Sequence, residues 1–97
     1  MKVPFLDLGA QVRSIRPEID QAIAKILDTT QFVLGDEVAA FEKEFAAAHG
    51  AQQGIAVNSG TSALHVALLA AGVGPGDEVI TVTHTFVATV AAVRYTG

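Results

Sequence analysis

The chain has 97 residues, enough for one small domain, yet 51% of them are hydrophobic and only 16% charged, which is apolar for a unit that should be mostly surface. Six Lys plus Arg stand singly against ten Asp plus Glu, for a formal net charge of -4, so no basic stripe is offered to a nucleic acid. Cysteine is absent, which excludes a disulfide framework and a thiolate metal site. The start Met1-Lys2-Val3-Pro4 has no signal-like apolar run and no stretch approaches a membrane span, so the expectation is a soluble cytoplasmic protein.

Residues Pro4 to Leu8 read as an extended lead-in ending near Gly9. From about Ser14 the pattern turns helical, with Ile15, Ile19, Ala22, Ile23, Ile26 and Leu27 recurring at helical steps and Pro17 placed in the first turn. Asp28-Thr29-Thr30 breaks that pattern, and the short apolar connector Phe32-Val33-Leu34 ends at Gly35. A second helix is expected from about Asp36 to His49, with Gly50 at its C-terminal end.

Gly54-Ile55-Ala56-Val57 is apolar without alternation, which suits a strand buried on both faces. Asn58-Ser59-Gly60 turns the chain, and Thr61 to Ala71 forms a third helix, stopped by Gly72 and by Gly74-Pro75-Gly76-Asp77. Glu78 to Val82 reads as a second buried strand, and Phe86 to Tyr95 as a fourth helix. Strands alternating with helices of this length imply an α/β fold with parallel pairing through right-handed crossovers. Two parallel strands do not make a stable sheet alone, so neighbouring strands are expected.

The strand-to-helix junction Asn58-Ser59-Gly60-Thr61-Ser62 is where chemistry is expected. A glycine turn at the carboxyl end of a parallel strand lets the backbone approach a ligand closely. The first turn of the following helix has unsatisfied N–H groups and a positive dipole end, which together accept a phosphate. Thr61 and Ser62 add hydroxyl donors, and Gly60 removes a side chain that would block the approach. The same residues also make ordinary turns and helix caps. The segment is neither a P-loop nor a dinucleotide fingerprint. At the end of the second strand, Phe86 is placed either in the core or stacked on a planar heteroaromatic ligand.

Five blocks stand in order along the chain: Val3 to Leu8, Phe32 to Gly35 with Glu37 and Phe41-Glu42, Asn58 to His65, Gly74 to Ile80, and Thr85 to Thr89. As an ordered set they resemble the DegT/DnrJ/EryC1/StrS family of pyridoxal-phosphate sugar aminotransferases. The resemblance implies the N-terminal part of a fold-type I (aspartate aminotransferase-like) enzyme, normally several times longer and homodimeric. Residues 1–97 would supply the leading helices and the first βαβα portion of the cofactor-binding large domain. By the same resemblance Gly60, Thr61 and Ser62 bind the phosphate of pyridoxal 5'-phosphate and Phe86 stacks on its pyridine ring. Family members move an amino group from glutamate onto a keto group of a nucleotide-linked sugar; the spelling His84-Thr85-Phe86 looks like members acting on 3-keto sugars.

Such a reaction needs a lysine to hold the cofactor as a Schiff base, and an acidic partner for the pyridine nitrogen. Lys2, Lys25 and Lys43 are not in a family lysine context, so none is assigned that role and no catalytic residue is expected within the chain. The missing lysine, the unpartnered strands and the apolar composition predict part of a longer polypeptide, inactive alone. A dehydratase of the same family, with histidine in place of the lysine, and a non-catalytic module binding a phosphorylated ligand remain alternatives.

Overall fold

A computed structural model describes residues 3–97, leaving Lys2 outside the described residues. The chain divides into two compact units, Met1–Gly54 and Ile55–Gly97.

In the first unit, α1 runs over Leu8–Thr29 and α2 over Asp36–Ala48. Helix α1 begins well before Ser14, because the Asp7 carboxylate caps it by accepting the Ala10 N–H at 2.8 Å. That cap satisfies one of the orphan donors of the first turn. Pro17 therefore lies inside the helix and not in its first turn, where its missing N–H costs the helix the bond to the Arg13 carbonyl. Thr30 ends α1 in a left-handed conformation at φ 56°.

Helix α2 matches its expected bounds within a residue. Asp36 and Glu37 occupy its positive end. At the other end Gly50 (φ 64°) donates to the Ala47 carbonyl at 3.2 Å and Ala51 to the Ala46 carbonyl at 2.9 Å, a Schellman closure that requires a residue tolerant of positive φ. Ala46 is the buried residue of this helix. Gly54 runs so close to α2 that a Cβ there would stand 2.6 Å from the Glu42 carbonyl oxygen. Lys25 of α1 forms an ion pair with Glu37 of α2.

In the second unit, α3 (Gly60–Ala70) and α4 (Ala88–Tyr95) pack against each other. Helix α3 closes as α2 does, with Gly72 N–H on the Leu69 carbonyl and Val73 N–H on the Leu68 carbonyl, both at 3.0 Å. The following turn is held by Asp77, whose carboxylate accepts the Gly74 N–H at 2.9 Å and whose N–H donates to the Gly74 carbonyl at 3.1 Å. Pro75 and Gly76 (φ 96°) are its central residues, the arrangement of a type II turn. Ala92 of α4 is fully buried.

The two expected strands, 54–57 and 78–82, do not form: among the described residues the regular structure is helical. The physical reason lies in pairing. A helix satisfies its backbone locally, whereas a parallel strand needs neighbours distant in sequence. Ile55 and Ile80, placed to be buried between layers, are 79% and 99% exposed.

Candidate functional site

Ser59 organises the start of α3. Its backbone is extended (φ -161°, ψ 158°), and its hydroxyl caps the helix by accepting the Ser62 N–H at 3.1 Å. The same hydroxyl donates its proton to the Ser62 Oγ at 3.0 Å. The Ser59 carbonyl accepts the Ala63 N–H at 3.0 Å.

This arrangement sorts the donors of the first turn. The Ser62 N–H is already taken by the cap, so it is not available to a ligand. The N–H groups of Gly60 and Thr61, at the first two helical positions, have no acceptor within the helix. The Ser62 hydroxyl accepts from Ser59 and so has its own proton to give outward. A Cβ built on Gly60 would meet nothing within 4 Å, so the space over this turn is open. Thr61 and Ser62 are half-buried. Two backbone N–H groups, two hydroxyls and the positive end of a helix are a chemically matched set for a phosphate.

Ser59 was not singled out in the sequence beyond its place in the turn. The signal was there: serine immediately before a helical run is a strong N-cap choice. Its second bond, to the Ser62 hydroxyl, has no sequence signature.

Phe86 lies two residues before α4, in the same unit as the Gly60 turn. Its carbonyl accepts the Thr89 N–H at 3.1 Å, and Thr85 Oγ1 and Thr89 Oγ1 are hydrogen-bonded at 3.0 Å. The backbone before α4 is therefore fixed while the Phe86 side of it faces solvent: the residue is 75% exposed, not core. Of the lysines, Lys25 is held by Glu37, whose carboxylate raises its pKa by hydrogen bond and by charge. A nucleophilic amine needs the opposite shift. Lys43 is exposed on α2.

The pattern of the DegT/DnrJ/EryC1/StrS aminotransferase family matches residues 13–97. The chain belongs to that family. Among its relatives, dTDP-3-amino-3,4,6-trideoxy-alpha-D-glucose transaminase of Streptomyces venezuelae is 49% identical over 96 residues, 99% of this chain and 25% of that protein. UDP-N-acetyl-3-dehydro-alpha-D-glucosamine 3-aminotransferase of Acidithiobacillus ferrooxidans is 47% identical over 95 residues, 98% of this chain and 26% of that protein. The Pleiotropic regulatory protein of Geobacillus stearothermophilus is 44% identical over 97 residues, 100% of this chain and 26% of that protein. The chain thus spans about a quarter of the length of these curated relatives.

Among solved structures, the crystal structure of Streptomyces venezuelae DesV in complex with a ketimine intermediate superposes with a TM-score of 0.90 at 49% identity, over 99% of this chain and 26% of that one. The fold is accordingly that of a fold-type I aminotransferase, seen over its family-matched portion. No helix among the described residues is long and apolar enough to cross a membrane.

Proposed function

We propose that the chain is the N-terminal portion of a pyridoxal-phosphate aminotransferase that moves an amino group from glutamate to a keto group of a nucleotide-linked sugar. The observation that carries this reading is the start of α3. There the Ser59 cap takes the Ser62 N–H and leaves the Gly60 and Thr61 N–H groups and the Ser62 hydroxyl proton available to a phosphate, inside a family match that spans residues 13–97.

In this reading the Gly60 and Thr61 N–H groups and the Thr61 and Ser62 hydroxyls hold the cofactor phosphate. Gly60 keeps the approach open, and the Phe86 ring lies on the face of the pyridine. Bound there, pyridoxal 5'-phosphate supplies the electron sink and amino carrier of the reaction. The residues of this chain bind and orient it. The Schiff-base lysine, and the acidic group facing the pyridine nitrogen, are assigned to sequence beyond Gly97. So are the strands that would pair with 54–57 and 78–82 into the parallel sheet of an α/β large domain. A cytoplasmic homodimer is part of the same proposal.

The name of the Geobacillus relative favours one second reading, a regulatory module that keeps the phosphate site without transamination. One experiment separates the two in the complete protein: cofactor uptake followed by visible absorbance, with amino transfer from glutamate to a keto nucleotide sugar assayed alongside. Uptake with transfer supports the enzyme, uptake without transfer selects the module, and no uptake overturns both.

A further inference from the structure

We propose that His65 and Tyr95 are positioning residues that brace α3 against α4 and so fix the spacing between the phosphate cradle and Phe86. The proposal rests on the functional reading above. The two rings meet edge to face, with centroids 5.7 Å apart and planes at 66°, a favoured aromatic geometry. His65 is half-buried on α3, and Tyr95 is the last residue of α4.

Each helix carries one half of the candidate site at its start. Gly60, Thr61 and Ser62 are the first turn of α3, and Phe86 stands two residues before α4. Any slide or rotation of one helix on the other therefore changes the distance from cradle to ring. A cofactor held by its phosphate at one end and by its ring face at the other is sensitive to that distance, because its two attachment points are joined by a rigid molecule.

Helix α3 reads Gly-Thr-Ser-Ala-Leu-His-Val-Ala-Leu-Leu-Ala, and the fully buried residue of α4 is Ala92. To that small-residue packing an edge-to-face ring pair adds a preferred position and tilt. His65 and Tyr95 are the aromatic contact between these two helices. Neither is placed against the cofactor.

The test uses the complete protein with His65→Ala, Tyr95→Ala, the double variant, and the ring-preserving His65→Phe and Tyr95→Phe. Three readouts are taken: the pyridoxal-phosphate concentration giving half-saturation, the visible circular dichroism of the bound cofactor, and the melting temperature without cofactor. Each alanine variant should raise half-saturation about three- to tenfold and diminish the cofactor's dichroism. The double variant should be no worse than the poorer single one, and both phenylalanine variants should stay near wild type.

Alanine variants that melt earlier but bind with unchanged half-saturation and dichroism would reduce the pair to a stability contact and overturn the brace. Fully additive effects of the two substitutions would do the same. Should the alanine variants not fold, Tyr95→Leu and His65→Leu keep bulk without the ring edge and are held to the same readouts. A wild-type protein that takes up no cofactor removes the functional reading and the brace together. A wild type that binds, beside insensitive variants, removes the brace alone.

Discussion

The Ser59 hydroxyl serves Ser62 twice, accepting its N–H at 3.1 Å and donating to its hydroxyl at 3.0 Å. One side chain therefore closes the helix start and also decides which protons remain for a ligand. Those two roles respond differently to substitution. Ser59→Ala removes both and should cost about 0.5–2 kcal/mol of stability as a lost N-cap, read from urea unfolding. Ser59→Asp keeps an acceptor for the Ser62 N–H, so stability should stay within a few tenths of a kcal/mol of wild type, as expected among good caps. Its carboxylate cannot donate to Ser62 and repels a phosphate, so cofactor affinity in the complete protein should fall more steeply than in Ser59→Ala. Equal losses of affinity in the two variants would sink the assignment of phosphate to this turn.

Gly60 and Gly54 make a contrasting pair. A Cβ at Gly60 meets nothing within 4 Å, whereas one at Gly54 would stand 2.6 Å from the Glu42 carbonyl oxygen. Gly60→Ala should leave the unliganded protein as stable as before, or more so by up to about 1 kcal/mol from helix propensity. It should still weaken cofactor binding, since the methyl group fills the approach to the first-turn N–H groups. Gly54→Ala should destabilise by about 1–3 kcal/mol, as expected when a rigid backbone atom must move. Thermal melts with and without pyridoxal phosphate check both. A Gly60→Ala protein with wild-type affinity would place the phosphate elsewhere.

What the sequence disclosed follows the range of the forces involved. Helices α2 and α3 were legible nearly to the residue because their caps are local: Asp36 and Glu37 at one start, Ser59 at the other, and glycines 50 and 72 at the ends. The start of α1 lies ahead of its apolar stripe, because Pro4 and Gly9 suggest an extended segment while the cap comes from Asp7, whose carboxylate accepts the Ala10 N–H. The strands at 54–57 and 78–82 carry the apolar runs of buried parallel strands, but pairing is non-local and the described residues hold no sheet. At the candidate site the turn and its glycine were visible in the sequence. The sorting of its donors was not, since it depends on how one hydroxyl rotates.

Thr61 and Ser62 should contribute separately from the backbone. Replacing both by alanine removes two hydroxyl donors but leaves the Gly60 and Thr61 N–H groups in place. A hydrogen bond to a charged group is worth about 1.5–3 kcal/mol, so the double substitution should weaken pyridoxal-phosphate binding by at least about tenfold without abolishing it. Phe86→Ala should cost about 0.5–1.5 kcal/mol of affinity through lost stacking, with Phe86→Tyr close to wild type. Because Phe86 is 75% exposed, its removal should leave the unliganded melting temperature almost unchanged. A large drop there would return Phe86 to the core.

Lys25 and Glu37 give the chain a pH signature of its own. The carboxylate of Glu37 raises the Lys25 pKa above its ordinary 10.5, first by hydrogen bond and then by charge, with Asp36 adding a smaller push the same way. A base whose folded pKa is raised binds its proton more tightly in the folded state. Its contribution to stability is therefore complete below the ordinary lysine range and is lost as pH rises through the raised value. Both side chains are well exposed, at 61% and 44%, so the effect should be small and screened by salt. Unfolding of the wild type should thus show a decline in stability above about pH 10.5 that Glu37→Gln and Lys25→Met each lack, with the difference shrinking at high ionic strength. A decline of the same size in both variants would show that this pair does not govern the alkaline limb.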